Sequence, residues 1–230
     1  MVKSKLTLPV KPKAILFDWD NTLVDSMMLV HQALNHTLVT YGIEPWTYKE
    51  TIARSHQSYL EYAPNVFGNK WQEALDIYRA RYLELRVDMK AFHYAEEVLA
   101  LLKEHQIYTA LISNKIGHIL REEVNILGWD YYFGKIIGSG DLDRDKPSPI
   151  TVDSALRNIN VTPTECSVWF IGDSVTDMET AYNSKCMPVL FGDDDYNGER
   201  FAHCRPKIIF TEHKKLLHYL EICIKGDNDV

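Results

Sequence analysis

Short apolar segments that stop abruptly at polar side chains recur along this chain, and the first of them constrains the fold most strongly. Ile15, Leu16 and Phe17 lead directly to two carboxylates, Asp18 and Asp20. Such a run is typical of a strand buried on both faces of a parallel sheet, and these sheets bind ligands at the carboxyl ends of their strands. Because residues two apart on a strand point the same way, the two like charges require a nearby cation. An Asx-type turn that merely closes the strand is the alternative for this segment taken alone.

Further apolar segments alternate with helical patterns along the rest of the chain. Strands are predicted over residues 107–114, 135–138, 167–171, 188–191 and 207–210. Helices are predicted over residues 27–41, 94–105, 116–127, 150–158 and 212–224, with another that ends near residue 181. This alternation predicts an α/β fold with a doubly wound parallel sheet and right-handed crossovers.

Residues 43–91 differ in character, because β-branched runs are few and aromatic residues stand at helical spacing. We expect an inserted α-helical cap over residues 26–91, with residues 1–25 and 92–230 forming the catalytic core. Its basic residues are candidates for substrate contact, although such residues on helices usually face solvent or pair with acids. They are His31, Arg54, His56, Lys70, Arg79 and Arg81. We assign to packing the aromatic residues Tyr59, Tyr62, Trp71, Tyr78 and Tyr82.

Composition excludes several classes of protein. A formal net charge of −7 and a pI near 5.7 lack the basic character of a general nucleic-acid binder. The four cysteines form no Cys-x-x-Cys pair, so neither a zinc site nor a redox motif is indicated. With no secretory signal and no segment of membrane-spanning length, we expect a cytoplasmic protein without a membrane partner, with a short basic leader. Three consecutive acids at residues 193–195 are expected to form a solvated turn rather than a metal site.

Four polar strand ends stand in a fixed order along the chain. They are Asp18-x-Asp20-x-Thr22, Ser113-Asn114, Lys146-Pro147-Ser148-Pro149 and Gly172-Asp173-x-x-x-Asp177. Together they resemble the four motifs of the haloacid dehalogenase (HAD) superfamily of phosphotransferases, over residues 15 to about 192. The helical insertion resembles the C1-type cap of that family. The residues of the motifs are most similar to those of phosphoglycolate-phosphatase-type members.

The resemblance implies a role for each acid. Asp18 is the implied nucleophile, which takes the phosphoryl group as an aspartyl-phosphate. Asp20 is the implied general acid and base. The Asp18 and Asp173 carboxylates and the Asp20 backbone carbonyl are the implied ligands of Mg²⁺. Asp177 is implied to orient a water molecule or the lysine of the third motif.

Four further residues are implied to bind the substrate's phosphoryl group. Thr22, Ser113 and Asn114 come from the first and second motifs, and Lys146 neutralises phosphoryl charge in the transition state. A lone lysine is ordinarily a surface charge. Here a site with three or four carboxylates and a phosphate needs a fixed cation besides magnesium.

Departures from the family pattern narrow the function. Asp20 argues against a true dehalogenase, which resembles the family but lacks the second Asp of the first motif. It likewise argues against a phosphonatase. Asn21 replaces the more frequent glycine of that motif. We expect a Mg²⁺-dependent phosphomonoesterase for a small phosphorylated metabolite, with a phosphomutase as the alternative and a non-catalytic relic as the third hypothesis. A monomer and a homodimer are both compatible with the sequence.

Overall fold

A parallel sheet of six strands lies at the centre of the computed structural model, which describes residues 11–55, 59–192 and 199–228. Counting a separate pair, the described residues form eight strands: β1 (Ala14–Phe17), β2 (Val24–Asp25), β3 (Lys90–Ala91), β4 (Tyr108–Ile116), β5 (Lys135–Ser139), β6 (Val168–Gly172), β7 (Met187–Phe191) and β8 (Ile208–Phe210). The sheet order is β5-β4-β1-β6-β7-β8, and β2 and β3 form a separate antiparallel pair. The first strand therefore lies between β4 and β6, and all three end at the same edge.

Helices cover both faces of the sheet, which confirms the predicted doubly wound α/β fold. They are α1 (Met27–Thr40), α2 (Tyr48–Ser55), α3 (Tyr59–Phe67), α4 (Trp71–Leu85), α5 (Ala95–Glu104), α6 (Gly117–Ile126), α7 (Ile150–Leu156), α8 (Val175–Asn183) and α9 (His213–Asn228). The alternation along β1 shows the two layers. Ala14 and Leu16 pack with the cluster of α7 and α8, whereas Ile15 and Phe17 pack with that of α5, α6 and α9.

The segment between β1 and β3 is a helical insertion, as predicted. Its helices α1 to α4 share one hydrophobic cluster with the sheet, because Leu34, Leu75 and Tyr82 pack in the same cluster as Ile15 and Phe17. The ribbon of β2 and β3 lies where the chain leaves and re-enters the core, close to the predicted boundaries at residues 25–26 and 91–92. The division into two domains at those residues stays a prediction.

Two elements differ from the sequence prediction. Strand β4 runs to Ile116 rather than to residue 114, and its pairing with β5 shifts in register between Ile112 and Ile116. Ser113 and its two successors lie within this irregular stretch at the strand end. Helix α9 continues to Asn228, beyond its predicted end at residue 224. The acidic run at residues 193–195 and the leader at residues 1–10 lie outside the described residues.

Candidate active site

Three carboxylates meet at the carboxyl edge of the sheet. Asp18 follows β1, Asp173 follows β6, and Asp177 lies in the first turn of α8. One carboxylate oxygen from each lies within 4.8 Å of the other two. They converge because β1 and β6 are hydrogen-bonded neighbours, with the Asp18 amide donating to the Ile171 carbonyl oxygen at 2.9 Å. We call Asp18, Asp173 and Asp177 the carboxylate cluster.

One buried ammonium group bridges this cluster. Lys146 Nζ lies 2.7 Å from Asp18 Oδ1 and 2.6 Å from Asp177 Oδ1, and the lysine is only 4% exposed. Although burial opposes its charge, the carboxylates of Asp177 and Asp18 raise the pKa of Lys146. One positive charge against three carboxylates leaves two negative charges unbalanced when all are ionised.

That imbalance raises the proton affinity of the acids and fits a divalent cation. Burial raises the pKa of Asp18 to about 6. The attraction of Lys146 opposes this rise, and repulsion from Asp177 adds to it. Burial and repulsion from Asp177 and Asp18 raise the pKa of Asp173 to about 8. A cluster of carboxylate oxygens with this excess charge has the hard donors and the net charge that suit Mg²⁺.

Both oxygens of Asp177 are already bonded. Oδ1 accepts from Lys146, while Oδ2 accepts from the Ser174 amide at 3.0 Å and from the Ser174 hydroxyl at 2.6 Å. The Ser174 hydroxyl accepts in turn from the Asp177 amide, which completes a capping box at the start of α8. Asp177 therefore joins the start of a helix to the lysine of the site.

Lys146 is positioned through the backbone of its own loop. The Asn114 side-chain oxygen accepts a hydrogen bond from the Lys146 backbone amide at 3.0 Å. The Asn114 side-chain nitrogen donates one to the Lys146 carbonyl oxygen at 3.2 Å. The predicted contact of Asn114 with phosphate stays a prediction, and both ends of its amide are engaged with the lysine loop.

The remaining predicted residues also lie near this edge. Six of the eight line one cavity: Asp18, Asp20, Ser113, Asn114, Lys146 and Asp173. Asp177 and Thr22 are fully buried and do not line it. The Thr22 hydroxyl has no hydrogen-bond partner within the described parts of the chain, and its binding of phosphate stays a prediction.

A second buried lysine holds Asp20, and the sequence reasoning did not assign it a role. Lys115 Nζ lies 2.7 Å from Asp20 Oδ1, 2.8 Å from Glu123 Oε2 and 2.8 Å from the Tyr82 hydroxyl. Ser26 also donates to Asp20 Oδ1, and Trp19 Nε1 donates to Glu123 Oε2 at 2.7 Å. Although burial opposes its charge, Asp20 and Glu123 raise the pKa of Lys115 well above its ordinary value.

A local signal for this second lysine was present in the sequence. Glu123 is a fully buried acid on α6, between the apolar residues Leu120 and Val124. A carboxylate on an apolar helix face needs a cationic partner, and Lys115 directly follows a polar strand end.

The helical insertion supplies the opposite wall of the cavity. Tyr59, Tyr62, Tyr78 and Tyr82, which we call the tyrosine wall, line it together with Met27 and Val30. The rings of Tyr59 and Tyr78 stack with centroids 5.3 Å apart, and those of Tyr78 and Tyr82 with centroids 5.9 Å apart. The assignment of these aromatic residues to packing alone was therefore incomplete, and Trp71 is the one of the five that does not line the cavity.

The basic residues proposed as cap contacts do not line the cavity where the structure describes them. His31 bonds Thr51 at 2.8 Å, and Arg54 lies over the Trp46 ring at 4.3 Å. Lys70 lies over the Tyr41 ring, Arg79 pairs with Asp76, and Arg81 pairs with Glu84. His56 lies outside the described residues. Each of the other five is engaged by a neighbour within the insertion.

Comparison with known proteins places this geometry in a wider group. A family model described as haloacid dehalogenase-like hydrolase matches residues 15–190. The chain is 30% identical over 172 residues to a phosphoglycolate phosphatase of Aquifex aeolicus, covering 73% of this chain and 78% of that protein. It is 24% identical over 220 residues to a phosphoglycolate phosphatase of Psychrobacter arcticus, covering 90% of this chain and 94% of that protein. The crystal structure of a HAD-superfamily hydrolase from Ehrlichia chaffeensis has a TM-score of 0.64 and 30% identity, covering 94% of this chain and 98% of that one.

Proposed function

Because this chain belongs to the haloacid dehalogenase-like hydrolase family, we propose that it is a Mg²⁺-dependent phosphatase acting on a small organic phosphomonoester. The single observation that carries the proposal is the carboxylate cluster, in which Lys146 bridges Asp18 and Asp177. A nucleophilic carboxylate, a fixed cation and donors for a divalent ion are what phosphoryl transfer requires.

In the proposed reaction, Asp18 is the nucleophile and Asp20 is the general acid and base. An Asp18 carboxylate oxygen forms a bond to phosphorus while the bond from phosphorus to the leaving oxygen breaks. Asp20 gives its proton to that leaving oxygen. Asp20 then takes a proton from water, whose oxygen attacks phosphorus and breaks its bond to Asp18, so that inorganic phosphate leaves and the Asp18 carboxylate and the protonated Asp20 carboxyl are regenerated.

The chain's own residues would hold the metal and the phosphoryl group. The carboxylates of Asp18 and Asp173, with the carbonyl oxygen of Asp20, would hold Mg²⁺. When bound, the ion would neutralise charge on the phosphoryl oxygens. The Lys146 ammonium group would also stabilise that charge, because Asp177 keeps it beside Asp18.

We propose that Lys115 acts through Asp20 as a positioning residue. Its ammonium group holds one oxygen of that carboxyl, while Glu123 and Tyr82 hold the ammonium group. The helical insertion therefore reaches the proposed acid by two routes, through Tyr82 and Lys115 and through a direct hydrogen bond from Ser26.

Phosphate release from a panel of phosphomonoesters, measured with Mg²⁺ or with a chelator, tests the function. We expect release that needs Mg²⁺ and that falls at least about 1000-fold in Asp18→Asn, because an amide cannot become the acyl phosphate. Asp76→Asn is the matched control, since the Asp76 side chain is 79% exposed on the insertion. Release that survives in Asp18→Asn, or no release from any member, contradicts the proposal.

A further inference from the structure

The described part of the wall that the helical insertion presents to the cavity is neutral. Of the lining residues that the structure describes, only Lys115 and Lys146 carry positive charge, and both belong to the core. Arg200 also lies on the core side, where it donates to the Asp173 carbonyl oxygen at 3.5 Å without lining the cavity. A second anionic group on a substrate would therefore meet no cation on the insertion's described lining.

The two lysines are already committed to carboxylates. Lys146 contacts Asp18 and Asp177 at 2.7 and 2.6 Å, and Lys115 contacts Asp20 and Glu123 at 2.7 and 2.8 Å. Each lysine is at most 6% exposed in its side chain. Moving either ammonium group toward a substrate would leave buried carboxylates unpaired, which is costly.

Charge balance in the loaded site also opposes a second anion. Five carboxylates, those of Asp18, Asp20, Glu123, Asp173 and Asp177, face two ammonium groups. With Asp20 protonated as the proposed acid, the other four carboxylates are balanced by the two ammonium groups and a divalent cation, so a bound phosphoryl dianion makes the site negative. Like charges interact strongly where water is excluded.

The tyrosine wall offers aromatic surface in place of charge. Tyr59 and Tyr82 are 7% and 0% exposed, and burial raises the pKa of all four phenols, which remain neutral. The Tyr59 hydroxyl has no hydrogen-bond partner among the residues that the structure covers. Stacked rings with Met27 and Val30 beside them favour a flat, apolar ligand with a polar group at its edge.

We infer that the phosphomonoester hydrolysed here has an uncharged leaving group that carries an aromatic ring, such as a nucleoside or an aryl alcohol. The inference rests on the proposed phosphatase function and concerns the same site. It disfavours a leaving group with a carboxylate or a second phosphate, and with it the phosphomutase alternative, which must hold a second phosphate away from Asp18.

Three phosphonates that cannot be hydrolysed test this preference on the native protein. Calorimetric titration with saturating Mg²⁺ would compare benzylphosphonate, 4-carboxybenzylphosphonate and propylphosphonate. We expect benzylphosphonate to bind at least tenfold more tightly than either of the others. Equal or tighter binding of the carboxylate compound overturns the charge argument, and equal binding of propylphosphonate overturns the aromatic one.

A pair of tyrosine variants locates the preference. Tyr78 stands in the middle of the stack, so Tyr78→Leu should weaken benzylphosphonate binding at least fivefold and leave propylphosphonate binding unchanged. Tyr48→Leu, on α2 outside the cavity lining, should change neither. Unchanged benzylphosphonate binding in Tyr78→Leu overturns the role of the tyrosine wall.

Turnover is measured separately from binding. We expect kcat/KM for phenyl phosphate to exceed that for 4-carboxyphenyl phosphate at least tenfold. If phosphate is released fastest from the charged member, the phosphatase proposal stands and the leaving-group inference fails. If no phosphate is released from any monoester while benzylphosphonate binds selectively, the phosphatase proposal fails and the binding preference stands.

Discussion

Two buried lysines divide the carboxylates of this site between them. Lys146 contacts the proposed nucleophile Asp18, and Lys115 contacts the proposed acid and base Asp20. The two acids lie two residues apart and yet have different cationic partners. Different surroundings allow one carboxyl to remain ionised while the other exchanges a proton.

Lys115→Met should slow the release of poor leaving groups most. Without the ammonium group, Asp20 loses its fixed orientation, so hydrolysis of ethyl phosphate should fall at least about 100-fold. Hydrolysis of 4-nitrophenyl phosphate should fall less than about tenfold, because that leaving group needs little protonation. Steady-state kinetics with both substrates measures the difference. An equal loss on the two substrates contradicts a role through Asp20.

Glu123 provides the control for stability. Lys115→Met leaves the fully buried Glu123 without its cation, which should cost about 3 kcal/mol of unfolding free energy. The double variant Lys115→Met/Glu123→Gln should recover most of that stability, because the unpaired charge is gone. It should not recover hydrolysis of ethyl phosphate. Recovery of both would show that Lys115 has only a structural role.

Binding of Mg²⁺ should strengthen as pH rises. Without a cation, the pKa of Asp173 is raised to about 8 and that of Asp18 to about 6. Below these values the acids hold protons, which the cation must displace, so the apparent affinity should rise at least about tenfold between pH 6 and pH 8. Calorimetry at the two pH values, in buffers of different ionisation enthalpy, measures the affinity and the protons released. An affinity independent of pH contradicts this expectation.

At the scale of elements, the junction of β6 and α8 couples a strand end to the site. Gly172 ends the strand, Asp173 follows, and Ser174 caps the helix through Asp177. A Cβ added at Gly172 would lie 2.3 Å from Asp177 Cγ. Only glycine therefore lets the strand end pass this close to the carboxyl that holds Lys146.

Gly172→Ala should damage both stability and catalysis. The added methyl group displaces the Asp177 carboxyl, which should cost about 2 kcal/mol of unfolding free energy and lower kcat at least about tenfold. Gly128→Ala is the matched control, since Gly128 has a φ of +68° and open space where a Cβ would lie. It should cost about 1 kcal/mol through backbone strain and leave kcat unchanged. Denaturant titration and steady-state kinetics measure both effects. A normal kcat in Gly172→Ala contradicts the coupling.

At the scale of the whole molecule, the insertion and the core share one hydrophobic cluster as well as the cavity. His213, at the start of α9, packs against two aromatic rings of the core. Its ring centroid lies 6.0 Å from that of Phe92, which follows the ribbon strand β3, and 4.1 Å from that of Phe191 at the end of β7. The residue is 1% exposed, and the backbone of Thr22 interacts with its ring. No helix within the described residues is long and apolar enough to cross a membrane.

This histidine should make the protein sensitive to acid. Burial lowers the pKa of His213 from 6.5 to about 4, so the unfolded chain binds its proton first as pH falls. Stability from this group is complete above about pH 6.5 and declines toward pH 4, with about 2 kcal/mol lost at pH 5. In His213→Leu this part of the loss should disappear. Denaturant titrations at pH 7.5 and pH 5 measure it, with the exposed His36→Leu as the control. An unchanged pH dependence in His213→Leu contradicts the assignment.

The sequence by itself determined most strands and helices of the core, the fold class and the family. Strand and helix periods are local, so β1, β6 and α8 could be predicted to within a few residues of their observed bounds. Turn residues and carboxylates at strand ends are local too. Because parallel strands meet at one edge, the convergence of Asp18 and Asp173 followed from these patterns and the resemblance they carried.

Only the tertiary structure decided which side chains pair across the site. Lys115 reaches Asp20 over 95 positions and Tyr82 over 33, and Trp19 reaches Glu123 over 104. Such partners depend on the sheet order and on the angle at which the insertion packs. Neither of these produces a periodic pattern in the sequence. The position of the tyrosine wall beside the cavity could not be predicted from the sequence for the same reason. A buried ring that packs and a buried ring that lines a cavity have the same sequence pattern, and only the space in front of the ring distinguishes them.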